Sequence, residues 1–360
     1  MERVLNFAAG PAAMPLEVLE TIQKNICNYN EEGLSVMEMS HRSATYQKII
    51  DETKENLKQI LELDDNYEIL FLQGGASSQF AMVPMNLANP NDTTYYAVTG
   101  NFANKAWEEA KKWTNALDIT NTKEDKYRYI SKIDNDKLDS RGKYLHITAN
   151  NTIYGTMYDK LPEVNIPLVA DVSSNILGKY YDYKKFALAY AGAQKNLGPA
   201  GLTVVIINKK FIREDVDSKV PTMFRYDIHS KSGSMYNTPP TFAIYVAGEV
   251  FKWVIREGGV REIEKRNIEK AKMLYDILDN SNFYKPFAKN DSRSIMNVTF
   301  NLPSEDLEKK FVEEAKKEGM INLKGHRVLG GIRASIYNAM TIDGVKKLAN
   351  FMEKFEKENI

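Results

Sequence analysis

The sequence of 360 residues contains one cysteine, Cys27, and only four histidines. A single cysteine cannot form an intramolecular disulfide, and it excludes metal sites that need several cysteines. The histidines are too scattered to give a metal-binding motif. We therefore predict no metal site, and a reducing compartment, the cytoplasm, for this chain.

Net charge is also lacking, because 48 lysines and arginines balance 48 aspartates and glutamates. A neutral chain has no long-range field that would attract nucleic acid or an anionic membrane, so we expect neither as a partner. We also expect no signal peptide, since the first residues contain no sustained apolar run. The most apolar helical stretch, residues 242–255, contains Glu249 and Lys252 and is unsuited to crossing a bilayer.

Two parts of the chain differ in their pattern of predicted strands and helices. Between residues 68 and 207, short apolar runs typical of buried strands alternate with helical segments. This alternation predicts an α/β fold with a large, mainly parallel sheet flanked by helices. After Gly258 and Gly259, alternating helices and strands predict a smaller α/β domain. We assign residues 16–258 to the large domain, and residues 1–15 and 259–360 to an N-terminal arm and the small domain.

Lys195 lies in a loop between two apolar runs, residues 187–190 and 202–207, which are predicted to be buried strands. Partial desolvation there would lower the pKa of the lysine and allow its amine to attack a carbonyl group. Taken alone, the loop is equally compatible with a solvated hairpin lysine.

Asp171 ends another apolar run, IPLVAD, so its carboxylate is predicted at the end of a buried strand, where it needs a cationic partner. Pyridoxal phosphate requires a lysine that forms a Schiff base and an aspartate that pairs with the protonated ring nitrogen. Lys195 and Asp171 together meet that requirement. The alternative is an aspartate that caps the next helix.

Further stretches suit an anionic ligand. Two glycines and two serines within residues 74–78 follow a predicted strand and would present backbone N–H groups to a phosphate, before a helix expected around Ala81. A tight strand-helix turn is the alternative. The basic loop 324–333 and the pair His41 and Arg42 suit a carboxylate or phosphate, although a plain surface loop accounts equally well for the pair. The residues expected to share one crevice beyond the strand ends are Gly74, Phe102, Thr152, Asp171 and Lys195.

Long motifs along essentially the whole chain resemble the phosphoserine aminotransferase family, within class V of the fold-type I pyridoxal-phosphate enzymes. In order, they are NFAAGPAAMP, MEMSHRS, LQGGASSQF, TANNTIYGT, VADVSSNIL, YAGAQKNLGPAGLTVVII, YNTPPTF and GHRVLGGIRASIYNAM. Several long motifs in the same order are far more specific than any one of them. Two positions depart from the family pattern: Phe102 stands where a tryptophan usually covers the cofactor ring, and Asn175 where many relatives carry an acid.

The resemblance implies pyridoxal 5′-phosphate as cofactor, with Lys195 as the Schiff-base lysine and Asp171 as the partner of the pyridine nitrogen. It implies that Phe102 stacks on the ring and that Thr152 lies near the ring hydroxyl. The residues implied for the cofactor phosphate are Ala76, Ser77 and Gln194, with Asn237 and Thr238 reaching it from the other subunit of a homodimer. The residues implied for the substrate are Arg333 on the α-carboxylate, and His41, Arg42, His326 and Arg327 on the distal phosphate or carboxylate.

The resemblance also implies a reaction, the reversible transfer of an amino group from L-glutamate to 3-phosphohydroxypyruvate, which gives 2-oxoglutarate and O-phospho-L-serine in serine biosynthesis. It leaves open a second substrate, the related phosphorylated keto acid of vitamin B6 synthesis. The alternatives on this scaffold are a serine– or alanine–glyoxylate aminotransferase and a cysteine desulfurase; Cys27 is far in sequence from every cofactor motif, which disfavours the desulfurase. A binding protein that has lost catalysis is a third alternative, against which Lys195 and Asp171 argue.

Overall fold

The computed structural model describes residues 3–360. Its α-helices are α1 (Leu16–Asn25), α2 (Ala44–Ile60), α3 (Gly75–Leu87), α4 (Asn101–Ala110), α5 (Tyr226–Lys231), α6 (Thr241–Arg256), α7 (Gly259–Asn280), α8 (Glu305–Lys317) and α9 (Ile342–Asn359). Its strands are β1 (Leu5–Asn6), β2 (Tyr67–Leu72), β3 (Thr93–Val98), β4 (Asn115–Asn121), β5 (Leu145–Thr148), β6 (Asn150–Asn151), β7 (Thr156–Met157), β8 (Leu168–Asp171), β9 (Phe186–Gly192), β10 (Thr203–Asn208), β11 (Lys285–Pro286), β12 (Asn297–Asn301), β13 (Met320–Ile321) and β14 (Ile332–Ser335). Among the helices of residues 3–360, none combines the length and the apolar composition needed to cross a membrane.

Seven strands form the central sheet, in the order β2-β10-β9-β8-β5-β3-β4. β10 runs antiparallel to both of its neighbours, whereas β9, β8, β5, β3 and β4 are parallel. The prediction of a mainly parallel sheet flanked by helices is therefore confirmed. The carboxyl ends of β5, β8 and β9 lie side by side, with Thr148 opposite Asp171 and Asp171 opposite Tyr190. Loops that follow these three strands meet at one edge of the sheet.

The central sheet is buried on both faces, which explains the continuous apolar runs in its strands. Successive side chains of a strand point to opposite faces. In β2, Ile69 and Phe71 belong to the hydrophobic cluster on one face, and Leu70 and Leu72 belong to the cluster on the other. The packed sheet is thus a rigid support for the loops at its carboxyl edge.

A second, smaller sheet has the order β11-β12-β14 and is antiparallel. It packs with α7, α8 and α9 around a separate hydrophobic cluster, which also contains Phe7 of the N-terminal arm. The arm is held there because β1 pairs in parallel with β13. Lys270 of α7 is buried, and its Nζ donates hydrogen bonds of 2.9–3.0 Å to the carbonyls of Ile336, Tyr337 and Met340. This lysine fixes the chain just beyond β14. The domain limits given above stay a prediction.

Two elements differ from the sequence predictions. α3 begins at Gly75, well before the predicted start near Ala81, because Gly74 adopts a left-handed conformation with φ of 89° and the following glycine and serine residues form the first helical turn. β4 was not predicted, because it is an edge strand whose residues are mostly polar and only partly buried. An edge strand of this kind lacks the apolar run that marks a buried one.

Candidate active site

The carboxyl edge of the central sheet brings three predicted residues together. Asp171 is the last residue of β8, Thr152 follows β6, and Lys195 follows β9. The Nζ atom of Lys195 donates hydrogen bonds to the hydroxyl oxygens of Thr152 at 2.7 Å and Ser174 at 2.6 Å. These two hydroxyl oxygens lie 2.6 Å apart. The amine is thus held by two buried hydroxyls, and the alternative of a solvated hairpin lysine is wrong.

The ammonium group of Lys195 loses its proton at a lower pH than an ordinary lysine does. Burial lowers the pKa of its amine from 10.5 to about 8, and the positive charge of Arg333 acts in the same direction. The negative charge of Asp171 opposes this change. Because the pKa lies close to neutral pH, the amine can exist in both protonation states, as a nucleophile and a general base require.

Asp171 is buried, and burial raises the pKa of its carboxyl group. The backbone N–H of Ser173 donates a hydrogen bond of 2.9 Å to Oδ1, and this bond, with the charge of Lys195, opposes the rise. Within residues 3–360, Oδ2 accepts no hydrogen bond. Turn residues rather than a helix follow β8, so the helix-cap alternative is wrong. A buried carboxylate with one open oxygen suits a cationic N–H donor such as a protonated ring nitrogen.

The N-terminal turn of α3 offers an anion site at the same edge. Gly74 is left-handed, and a Cβ at this position would collide with the side chain of Ser78. Within the part of the chain that the structure describes, no side chain caps this helix. Ala76 is half-buried and Ser77 is exposed. The free N–H groups and the helix dipole favour a phosphate here.

Gln194, in the turn after β9, and Phe102, at the start of α4, follow strands of the central sheet at this edge. The carbonyl oxygen of Gln194 accepts a hydrogen bond of 2.9 Å from the N–H of Ala12, so the N-terminal arm passes beside the Lys195 loop. Phe102 is half-buried in the first turn of α4, where it packs against one of the two clusters of the central sheet. Its position after β3 is compatible with ring stacking and with an ordinary core role alike.

A basic loop approaches the site from the small sheet. Its two ends are joined by hydrogen bonds of 2.8 Å, from the N–H of Gly325 to the carbonyl of Gly331 and from the N–H of Arg333 to the carbonyl of Leu323. Glu308 of α8 accepts a further bond of 3.1 Å from the N–H of Gly331. The loop is therefore closed at its base, with its basic side chains on the outside of the turn.

Arg333 is the basic group of this loop region whose charge acts on Lys195, and His326 lies close enough to Arg333 to be influenced by its charge. Arg333 is half-buried, and its Nη1 donates a hydrogen bond of 3.5 Å to the carbonyl of Thr152. Among residues 3–360, it pairs with no carboxylate. Nδ1 of His326 accepts a bond of 3.2 Å from the N–H of Val328, which leaves the hydrogen of the neutral ring on Nε2. Burial and the positive charge of Arg333 lower the pKa of His326.

Four predicted residues have no hydrogen bond or ion pair, among residues 3–360, with the groups around Lys195. They are His41, Arg42, Asn237 and Thr238. The first pair precedes α2, with the histidine half-buried and the arginine exposed. The second pair is exposed in the loop before α6, and Asn237 lines a cavity of about 210 Å³ together with Gly74 and Ser78 of its own chain. A single chain thus gathers the lysine, the aspartate, the threonine and Arg333, and leaves these four apart.

Ser174 touches Lys195 directly, yet no sequence pattern singled it out. The available signal was weak: a pair of hydroxyl residues, Ser173 and Ser174, directly after a strand that ends in an aspartate. The described residues 3–360 contain no cluster of three or more His, Cys, Asp or Glu side chains that could hold a metal ion.

Several known proteins resemble this chain in sequence and in structure. The sequence matches the class-V aminotransferase family over residues 4–348. It is 50% identical to the phosphoserine aminotransferase of Bacillus cereus over 360 residues, which are 100% of both chains. The structure resembles the solved phosphoserine aminotransferase of Bacillus circulans subsp. alkalophilus, with a TM-score of 0.96, 44% identity and 100% coverage of both chains. It also resembles the phosphoserine aminotransferase with bound pyridoxal phosphate from Trichomonas vaginalis, with a TM-score of 0.91, 35% identity, and coverage of 98% of this chain and 100% of that one.

The family match includes Lys195, Asp171 and the basic loop near the end of the chain. The relatives are matched from end to end and at high identity. The family resemblance and the fold class predicted from the sequence motifs are both confirmed. This chain belongs to the class-V aminotransferase family.

Proposed function

We propose that this chain transfers the amino group of L-glutamate to 3-phosphohydroxypyruvate, giving 2-oxoglutarate and O-phospho-L-serine, with pyridoxal 5′-phosphate as its cofactor. The observation that carries the proposal is the amine of Lys195, held by two hydroxyls at 2.6 and 2.7 Å and flanked by the charges of Asp171 and Arg333. This arrangement occurs in a chain that is 50% identical, over its full length, to a phosphoserine aminotransferase.

The residues at the carboxyl edge fit pyridoxal phosphate. The open Oδ2 of Asp171 suits a protonated ring nitrogen, and the uncapped first turn of α3, with Ala76 and Ser77, suits the phosphate. Gln194 would add a side-chain contact to that phosphate, and Phe102 would lie against the ring. When bound, pyridoxal phosphate acts as an electron sink for the substrate carbon that loses its proton.

Lys195 has the properties of a general acid and base for this transfer. Its pKa of about 8 would let the free amine accept the proton from the α-carbon of the amino donor and give it up again during the transfer. The buried carboxylate of Asp171 would keep a proton on the ring nitrogen of the bound cofactor, because a neighbouring cation stabilises the charged form of a carboxyl group. Thr152 and Ser174 orient the amine during this exchange.

Basic side chains would bind the anionic groups of the two substrates. Arg333 would bind the α-carboxylate that both have in common, because its guanidinium is half-buried and has no carboxylate partner among residues 3–360. The distal group is a γ-carboxylate in one substrate and a phosphate in the other. The donors proposed for it are His326 and Arg327 of the basic loop, with His41 and Arg42. Flexible N–H donors of this kind satisfy either anion.

The proposed enzyme is a cytoplasmic homodimer with composite active sites. The loop that contains Asn237 and Thr238 is exposed, so it is available to contribute to the phosphate site of a neighbouring subunit. Tyr236, in the same loop, is 52% exposed. A second chain on this surface would cover it.

The proposal is tested with a panel of keto acids. The full-length protein, supplied with pyridoxal phosphate and L-glutamate, is assayed for 2-oxoglutarate with 3-phosphohydroxypyruvate, hydroxypyruvate and glyoxylate. We expect kcat/KM to be roughly 100-fold higher with the phosphorylated acid than with hydroxypyruvate, because the basic donors are left unpaired when the phosphate is missing.

A preference for glyoxylate would replace the proposal by the glyoxylate alternative, whose small substrates need no distal anion site. The phosphorylated keto acid of vitamin B6 synthesis belongs in the same panel. Its kcat/KM relative to that of 3-phosphohydroxypyruvate decides whether the protein has this second role.

A further inference from the structure

The side chain of Ser174 touches the reactive atom of the site. Ser174 is 2% exposed and lies in the turn after β8. Its Oγ is 2.6 Å from Nζ of Lys195 and 2.6 Å from Oγ1 of Thr152. The hydroxyl of Tyr337 is nearby, and it donates its own hydrogen bond of 2.9 Å to the carbonyl of Ala9. The serine hydroxyl is therefore at the centre of a group of hydroxyls around the amine.

Two charged groups influence the amine, from different elements. Asp171 at the end of β8 favours the protonated form, and Arg333 of β14 disfavours it. Neither is a direct partner: within residues 3–360, Lys195 forms no salt bridge, and its hydrogen-bond partners are the hydroxyls of Thr152 and Ser174. The first contacts of the amine are thus neutral groups.

A hydroxyl group can bond to an amine in either protonation state. An ammonium group donates to the hydroxyl oxygen, and a neutral amine accepts from the O–H. Because Oγ of Ser174 and Oγ1 of Thr152 are 2.6 Å apart, one hydroxyl donates to the other, and one hydroxyl hydrogen is left to turn toward the nitrogen. A carboxylate in the same position would favour only the ammonium form and raise the pKa of the lysine.

The backbone of Ser174 is held by the residue that follows the lysine. Nδ2 of Asn196 donates to the carbonyls of Ser174 at 3.3 Å and Ile176 at 3.0 Å. Oδ1 of Asn196 accepts a bond of 3.1 Å from the N–H of Asn338. The turn that contains the serine and the turn that contains Lys195 are therefore tied together, and the serine hydroxyl has a fixed place beside the amine.

We propose that Ser174 is a positioning residue of the active site, whose hydroxyl holds the amine of Lys195 both when the amine is protonated and when it is neutral. The inference deepens the proposed function and rests on it only for the part that Lys195 has in amino transfer. The hydrogen bonding itself does not depend on the substrate. Amino transfer alternates between the two protonation states, so a partner that serves both keeps the amine in place throughout.

The test measures the pH at which Lys195 loses its proton. The full-length protein, freed of cofactor, is treated with a trace of acetic anhydride at a series of pH values, and acetylation of the Lys195 peptide is quantified by mass spectrometry. Ser174→Ala should move the midpoint of this curve to lower pH by about one pH unit, because the hydroxyl bonds to both forms but its bond to the charged ammonium form is the stronger of the two that are lost. In the loaded enzyme, kcat should fall about tenfold with little change in the KM for L-glutamate, since the amine is misplaced.

Two variants serve as controls. Ser174→Thr keeps the hydroxyl and should restore both the midpoint and kcat. Ser292→Ala removes another buried hydroxyl, which accepts a bond from the N–H of Ile130, and should leave the midpoint where it is. If Ser174→Ala does not fold, Ser174→Cys takes its place, because sulfur is a weak acceptor of similar size.

An unchanged midpoint in a folded Ser174→Ala or Ser174→Cys protein would overturn the proposal. A shift that Ser174→Thr reproduces instead of reversing would overturn it as well, because the effect would then come from packing. Amino transfer is scored separately from acetylation. If the midpoint shifts as expected but the wild-type protein transfers no amino group, the proposed function fails while the inference on Ser174 stands.

Discussion

Arg333 donates a hydrogen bond of 3.5 Å to the backbone carbonyl of Thr152, and the hydroxyl of Thr152 accepts one of 2.7 Å from Lys195. One residue thus contacts both the reactive amine and the guanidinium that we propose for the α-carboxylate. Arg333 belongs to the small sheet, whereas Lys195 follows a strand of the central sheet. The site therefore lies where the two sheets meet.

Lys195→Ala should abolish amino transfer, because the variant has no amine at the position between Thr152 and Ser174. Wild-type protein loaded with pyridoxal phosphate and reduced with borohydride should contain the cofactor on the Lys195 peptide, as determined by mass spectrometry. Lys185→Ala, which changes an exposed lysine just before β9, is the control and should retain activity. Reduced cofactor on a different lysine would contradict the assignment.

Asp171→Asn should lower kcat by several orders of magnitude while the fold remains intact, because a neutral amide does not hold the proton on the ring nitrogen. The matched control is Asp182→Asn. Asp182 accepts a bond of 3.1 Å from the backbone N–H two residues further on, as Asp171 does, but it is remote from the lysine in the sheet. A loss of less than about tenfold, roughly 1.4 kcal/mol, would show that Asp171 only stabilises its turn.

Glu308→Ala should raise the KM for 3-phosphohydroxypyruvate by about five- to tenfold, roughly 1–1.4 kcal/mol, with a smaller effect on kcat. Glu308 accepts the N–H of Gly331 at 3.1 Å, so its loss frees the base of the basic loop. Glu305→Ala removes an exposed carboxylate from the same helix and is the control. The measurement is the steady-state KM for 3-phosphohydroxypyruvate of both variants. Equal KM values for Glu308→Ala and wild type would mean that substrate binding does not depend on the hydrogen bond between Glu308 and the basic loop.

Mixed dimers should reveal whether the active sites are composite. Subunits with Lys195→Ala should be inactive alone, and subunits with Asn237→Ala and Thr238→Ala should be weakly active alone. When equal amounts are refolded together, about one intact site per heterodimer should form, because both lesions can fall in the same crevice. The measurement is activity in a sample whose heterodimers are confirmed by native mass spectrometry.

The cavity that Asn237 shares with Gly74 and Ser78 of its own chain makes this experiment decisive. If the loop serves its own subunit, the mixed dimers will be no more active than the two parents. If it serves the neighbour, activity will be recovered without any change in the amount of folded protein.

Much of the central sheet could be predicted because burial on both faces produces continuous apolar runs, and the predicted run 202–207 differs from β10, Thr203–Asn208, by one residue at each end. The first turn of α3 could not, because glycine and serine are poor helix formers and tertiary packing overrides that preference. Lys195 and Asp171 were predictable because charged residues are rare at the ends of buried strands. Ser174 was not, since a serine in a turn has no periodic pattern and only the folded chain shows that its hydroxyl meets the amine.

Burial lowers the pKa of Lys270 to about 7 and that of Lys195 to about 8. Acidity alone would make Lys270 the better reaction partner for an aldehyde, because the neutral amine is the form that attacks a carbonyl carbon. Yet Lys270 is 2% exposed, and all three of its ammonium hydrogens are engaged by backbone carbonyls at 2.9–3.0 Å. Steric access, rather than proton affinity, therefore selects the amine that a carbonyl compound can reach, and the packing around α7 gives the protein its chemoselectivity among buried lysines.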